Sequence, residues 1–255
     1  MIQTKTGDIV ITSCRKCSEC MQVRANEWGV RCHHELMEHE ENCFLTLTYE
    51  NNPIRLHKEH LQKFIKRLRK KIYPRQIKYF SCGEYGDHEL RPHYHIIIFG
   101  YDFQDKEYWK RSKSGKAIFT SKELEELWFY GYCTVQEANK QTAMYSAKYS
   151  TKLKTDLPVH LERWPEFNTM SKNLGIKGIM QNIEKYLETK EIYLDGFAYQ
   201  IPRICLEKYC DDNGLDKKEF MLEYWSDRVP RTASELETRR RLDKKKKLHQ
   251  KQRTL

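Results

Sequence analysis

Hydrophobic and polar positions change their period several times along the chain, and each change marks an element. In "CFLTLTYE" (43–50), Leu45 and Leu47 alternate with Thr46 and Thr48. That two-residue period predicts a half-buried strand. In "LHKEHLQKFIKRLRKKI" (56–72) the period lengthens. Leu61, Phe64, Ile65, Leu68 and Ile72 form one helical stripe, with Lys63, Lys66, Arg67 and Lys70 on the other side. "QIKYFSCGEYG" (76–86) predicts a second strand, "DHELRP" a polar turn, and "HYHIIIFG" a third strand. Residues 110–117, rich in Lys, Ser and Gly, read as a loop. Thr120 and Glu123 have the spacing of a capping box ahead of a short helix, "LEELWFYG", ended by Gly131. "YCTVQ" (132–136) reads as a fourth strand. Residues 138–154, dominated by Ala, Met, Gln and Lys without Gly or Pro, predict a helix.

The order strand, helix, strand, strand, helix, strand is the split βαβ arrangement. It predicts an α+β, ferredoxin-like antiparallel sheet with helices on one side. Many functions share that fold, so the site must decide. Three regions follow: an N-terminal Cys-rich segment (1–42), the core (43–156), and a C-terminal extension with a basic helical tail (157–255). Within the extension, "KNLGIKGIM" suggests turns and "DKKEFMLEYW" a helix. Short strands are expected around Asp195-Gly196, and Thr232 with Glu235 forms a capping box before the basic run.

Composition narrows the function class. A hydrophobic fraction of 39% and an aromatic fraction of 12% over 255 residues suit a folded chain. The net charge of +10 points to a polyanionic partner, either nucleic acid or an anionic membrane surface. No run reaches the roughly 20 apolar residues of a membrane span. The first residues lack the layout of a secretory signal. Both features place the chain in a cytosol, where cysteines act as thiols or metal ligands rather than disulfides.

Chemistry enters at "RPHYHIIIFG" (91–100). In a strand, His93, His95, Ile97 and Phe99 share one face. Two imidazoles side by side can ligate one metal ion, although single strand histidines more often sit in a core or at a surface. Glu84 lies on the Phe80–Cys82 face of the preceding strand. A hairpin across "YGDHELRP" would bring it beside the histidines; otherwise it caps a turn or pairs with Arg91. Two imidazoles and a carboxylate suit Mn²⁺ or Mg²⁺ held together with phosphate oxygens.

"YSAKYSTK" adds a nucleophile. Tyr145 and Tyr149 are one helical turn apart, about 6 Å between Cβ atoms. Gln141, Lys148 and Lys152 share their face, while Met144, Ala147 and Leu153 are the candidates for the packed side. A phenol of pKa about 10 is a poor nucleophile at neutral pH. A nearby metal ion and Lys148 would favour the phenolate and stabilise charge on an attacked phosphate. A phosphotyrosine bond would keep the energy of the broken phosphodiester, so rejoining needs no nucleotide. Lys148 could bind the phosphate, deprotonate a tyrosine or only supply charge.

"FLTLT", "GEYG…RPHYHIIIFG" and "YSAKYSTK", in that order, resemble the replication initiators of the microviruses, the small isometric single-stranded DNA phages. The gokushovirus branch is the most similar. These initiators belong to the HUH endonuclease superfamily, and the resemblance spans roughly residues 10 to 155. It implies rolling-circle initiation. One strand is nicked at the replication origin, a tyrosine keeps the 5′ phosphate, and the 3′ hydroxyl primes synthesis. It assigns His93 and His95 to the paired-histidine motif, Glu84 to the upstream acidic ligand, Tyr145 and Tyr149 to the nucleophile pair, and Lys148 to the lysine between them. Its implied partners are single-stranded origin DNA and the host helicase and polymerase, in the cytoplasm of a bacterial host. A plasmid relaxase or transposase would keep the same fold and tyrosines.

Cys14, Cys17 and Cys20 form a C-x2-C-x2-C cluster, and "CHH" (32–34) follows. With Cys32, or an imidazole, as fourth ligand, the cluster could hold structural Zn²⁺. It also echoes an iron–sulfur pattern without its Cys-Pro ending. Gokushovirus proteins start with similar cysteines. Trp28 and Arg31 suit either packing or DNA contact. The tail "RRRLDKKKKLHQKQR" could neutralise DNA phosphates or remain a solvated helix. A zinc-bearing nucleic-acid-binding protein without catalysis is the competing class.

Overall fold

The computed structural model describes residues 2–3, 9–10, 17–86, 90–112, 114–149 and 165–226. A short hairpin, β1 (Ile2–Gln3) with β2 (Ile9–Val10), precedes the long helix α1 (Ser18–Met37). Next come β3 (Asn42–Thr48), α2 (Lys58–Lys71), β4 (Lys78–Tyr85), β5 (Pro92–Phe99), β6 (Glu107–Arg111) and β7 (Ala117–Thr120). α3 (Lys122–Leu127), β8 (Cys133–Glu137) and α4 (Lys140–Tyr149) follow. Beyond them lie β9 (Phe167–Met170), α5 (Ile176–Met180), α6 (Ile183–Thr189), β10 (Glu191–Leu194), β11 (Phe197–Gln200), α7 (Arg203–Asn213) and α8 (Lys217–Ser226). The chain divides into two compact units, one of residues 23–206 and one of residues 1–22 with 207–255.

The larger unit is built on a seven-stranded antiparallel sheet, ordered β6-β7-β8-β3-β5-β4-β9. Its four central strands are those read from the sequence. Their order, fourth-first-third-second, is the split βαβ layout. The α+β class and the antiparallel sheet therefore match expectation.

Helices cover both faces of the sheet, not one. α2 and α3 close one face. Leu61, Phe64, Ile65 and Leu68 of α2 and Leu124 and Leu127 of α3 pack on Leu45, Leu47, Tyr94, Ile96 and Ile98. The other face receives Cys32 and Leu36 of α1 and Ala143 of α4, against Phe44, Phe80, Ile97 and Phe99. β3 is accordingly covered on both sides rather than half-buried: Phe44 and Leu45, on opposite faces, are both buried. A strand with apolar residues at consecutive positions is what two-sided covering requires.

Three local expectations change. The loop at 110–117 contains the turn of the β6–β7 hairpin, whose first strand is exposed throughout and so carries no burial pattern to read. α3 is capped by Ser121, whose Oγ accepts the Leu124 N–H at 3.1 Å; Thr120 belongs to β7, and α3 ends at Leu127, before Gly131. The "KNLGIKGIM" stretch turns and then forms α5. It begins at Gly175, whose φ of +69° and close approach to the Arg31 carbonyl leave no space for a side chain. The hairpin around Asp195-Gly196 and the helix in "DKKEFMLEYW" are present as β10–β11 and α8. The Thr232–Glu235 box and the basic tail lie outside the described residues.

Candidate active site

Strand alternation sends Tyr94, Ile96 and Ile98 of β5 to the α2 face, and His93, His95, Ile97 and Phe99 to the α4 face. His95 stacks on Phe44, with ring centroids 5.5 Å apart. In the antiparallel register Glu84 stands directly opposite His93, and Cys82 opposite His95. The hairpin thus delivers the carboxylate as the sequence suggested. Glu84 Oε1 lies 2.7 Å from His93 Nε2 and 3.2 Å from His95 Nε2. Ligand atoms of the three residues lie within 4.8 Å of one another.

Electrostatics fit a cation here. Burial alone would raise the Glu84 carboxyl, but hydrogen bonds and charge from His93 and His95 outweigh it and hold the group down at about 2. Burial makes the His95 imidazole harder to protonate, only partly offset by Glu84. His93 Nδ1 is 3.1 Å from the Arg91 carbonyl, which can only accept, so Nδ1 carries the proton. A neutral His93 then aims the Nε2 lone pair at a carboxylate oxygen 2.7 Å away. Two acceptors at that distance call for a proton or a metal cation near them. Thr46 Oγ1 lies 3.2 Å from His95 Nδ1 and orients that ring from the neighbouring strand.

α4 crosses this face. Asn139 and Thr142 cap its first turn reciprocally: the Thr142 N–H donates to Asn139 Oδ1 at 3.1 Å, and the Asn139 N–H to Thr142 Oγ1 at 2.8 Å. Ala143 and Ala147 are fully buried, and Gly29 of α1 leaves space for Met144. These small contacts let the helix lie close to the sheet. Gln141, Tyr145 and Lys148 fall on the exposed side. Tyr145 is 46% exposed, yet its ring centroid is 6.1 Å from that of His95. Tyr149 is the last residue of α4; Lys152 and Leu153 lie outside the described residues.

The cysteines separate. Cys14 is outside the described residues. Cys32 is fully buried in the apolar cluster with Phe80, Ile97 and Phe99, and burial pushes its thiol far up. Among the described residues, no group of three potential metal ligands includes a cysteine. Trp28 and Arg31 pack rather than face solvent. The Arg31 guanidinium sits 4.1 Å over the Trp28 ring, its Nε donates to the Leu174 carbonyl at 2.8 Å, and Trp28 packs against Phe80. Sequence reading missed a second ligand group, His57, Glu59 and His60, at the start of α2. Its signal was the spelling "HKEH" inside a segment read only for its apolar stripe.

Among the described residues, no helix is long and apolar enough to cross a membrane. The family model for the replication-associated protein ORF2 matches residues 42–154, which contain the sheet hairpin and α4. Replication-associated protein ORF4 of Chlamydia phage 1 is 35% identical over 230 residues, 84% of this chain and 57% of that protein. The chain therefore spans little more than half the length of that relative. Replication-associated protein ORF2 of Spiroplasma virus 4 is 34% identical over 86% of this chain and 73% of its own length. Replication-associated protein VP4 of Bdellovibrio phage phiMH2K is 33% identical over 58% of this chain and 54% of its own. No solved structure matches. With a strand hairpin that joins two histidines to a glutamate, a tyrosine helix across it, and phage relatives matched over most of its length, this chain belongs to the family of phage replication-associated proteins, the microvirus replication initiators.

Proposed function

We propose that the protein nicks one DNA strand at the replication origin of a single-stranded DNA phage and rejoins it through a 5′-phosphotyrosine intermediate, initiating rolling-circle replication. The observation that carries this reading is the convergence of Glu84, His93 and His95 beneath the Tyr145 ring. Family membership supports the role in phage DNA replication.

In this reading, Glu84, His93 and His95 hold Mn²⁺ or Mg²⁺, which when bound polarises the scissile phosphate and stabilises charge on it. Their mixed imidazole–carboxylate set is softer than Mg²⁺ prefers and favours Mn²⁺. Tyr145, beside His95 and open to solvent, attacks phosphorus as the phenolate; its oxygen bonds to phosphorus, and the 3′ oxygen leaves with the electron pair. Lys148 supplies positive charge to the phosphate or the phenolate. Tyr149, one turn on, is the second nucleophile, which releases the circle after one round by attacking in the same way. The substrate is single-stranded origin DNA, with host helicase and polymerase acting downstream in the host cytoplasm. The exposed Lys63, Lys66 and Lys70 of α2 add to the net charge of +10 that draws DNA in.

The test is a denaturing gel of the protein with labelled origin DNA and Mn²⁺, run beside Tyr145→Phe, Tyr149→Phe and the double variant. The expected result is a slow, metal-dependent covalent band that the double variant lacks. Loss in one single variant identifies the tyrosine that opens the cycle. Tight DNA binding without an adduct under any metal would replace this reading with a non-catalytic binding protein.

A further inference from the structure

We propose that His57, Glu59 and His60 form a second metal site, which takes a divalent transition ion of the Zn²⁺ type, on the face of the sheet opposite Glu84, His93 and His95. Ligand atoms of these three residues lie within 4.8 Å of one another. His57 Nδ1 is 2.9 Å from Glu59 Oε1, and the two imidazoles stack with centroids 4.6 Å apart.

Hydrogen-bond accounting shows which atom of His60 is the ligand. Tyr94 has one hydroxyl proton, and it donates to the His57 carbonyl at 3.1 Å. The 2.7 Å bond between the Tyr49 and Tyr94 hydroxyls must then use the Tyr49 proton. With that proton spent, Tyr49 can only accept from His60 Nδ1, 2.9 Å away. His60 is thereby set as the Nδ1–H tautomer, and its Nε2 lone pair is the ligating one. A second partner that fixes tautomer and ring is the usual support of a metal-ligating histidine. The ring is also clamped by stacking on Tyr130, at 4.1 Å and 13°. Burial and the neighbouring His57 lower the proton affinity of His60, which keeps it a neutral donor.

The donor set names the ion class. Two imidazoles and one carboxylate select Zn²⁺ and its first-row neighbours, whereas Mg²⁺ and Ca²⁺ prefer all-oxygen shells. Glu59 is exposed and both histidines are half-buried, so the ion has a route from solvent and positions left for water. The N-terminus of α2 opposes a cation, and the Glu59 charge offsets that. Tyr94 lies between His93 and His95 in β5 and points away from them, so the two ligand groups serve different faces. The second ion would clip the first turn of α2 to the end of β3 through Tyr49, independently of strand nicking.

The experiment is a Zn²⁺ titration of the full chain against a chromophoric chelator, with His95→Ala as background to remove the sheet site. The His57→Asn/His60→Asn form of that protein should bind one Zn²⁺ fewer. Glu59→Gln alone, a solvent-facing change that leaves the fold intact, should weaken one site at least tenfold. An unchanged zinc count together with unchanged affinity in Glu59→Gln would overturn the proposal. The count is read without DNA, so it stands or falls apart from the nicking reaction.

Discussion

The face of the sheet under α2 is closed by apolar side chains, whereas the face under α4 opens at one end onto Glu84, His93 and His95. One strand feeds both. β5 sends Tyr94, Ile96 and Ile98 into the closed core and His93 and His95 to the open end, with Ile97 and Phe99 behind them. The difference shows how a polar site can be set into a buried strand. Alternation confines it to one face, and the opposite face keeps its packing. Each buried aromatic or aliphatic side chain there adds about 1.5–3 kcal/mol of burial. The site itself is paid for in charge: three titratable groups are held close together, and acid is what should undo them.

The sharpest way to break this comparison is His95→Ala. Covalent adduct formation should fall by more than about a hundredfold, since even residues behind a metal ligand cost 10–100-fold when removed. Retained nicking in this variant would remove the open face from the chemistry. Phe64→Ala should do the reverse. It empties a fully buried position under the closed face and should cost about 3–5 kcal/mol in denaturant unfolding. Mn²⁺ affinity of the folded variant should stay within about twofold of the parent, by the near-independence of distant sites.

Acid should separate the faces next. Glu84 is held down at about 2 in the folded chain, below its unfolded value. Its contribution to stability is therefore complete above the ordinary carboxylate range and is lost as pH falls through that range towards 2. His95 is harder to protonate folded than unfolded, so acid below its ordinary value of about 6.5 also favours unfolding. Mn²⁺ affinity should hold to a lower pH than an ordinary imidazole allows, then fall about tenfold per pH unit for each proton displaced. Isothermal titration from pH 8 to 5 measures this; a decline centred on or above 6.5 would contradict the environment assigned to His95. The smallest effect is expected from Ser121→Ala. Loss of the α3 cap should cost about 1 kcal/mol without touching metal affinity.

Much of the site was legible before folding. The alternation of "HYHIIIF" placed both histidines on one face, and the short polar turn "DHELRP" implied the hairpin that aligns Glu84. Helical spacing put Tyr145 and Lys148 on the exposed side of α4 and Ala147 on the packed side, as found. Other features carried no such signal. Cys32 reads as a ligand by its neighbours in sequence, but it packs under the sheet because α1 runs on as one helix through both cysteine positions, 20 and 32. The strand β6 is exposed at every residue, so nothing in its pattern distinguished it from a loop.

The sequence by itself determined the periods: four central strands, the apolar stripe of α2, the polar face of α4 and the two histidines on one side of β5. These follow from local geometry, because side-chain direction is set by the backbone repeat alone. Only the tertiary structure decided that both faces of the sheet are covered, and that β9, far along the chain, pairs with β4 at its edge. It alone decided that Tyr49 and Tyr94, 45 residues apart, share the proton that sets the tautomer of His60. Such outcomes depend on which surfaces meet, and a hydrogen-bond partner distant in sequence leaves no trace in the spacing of the residues it joins.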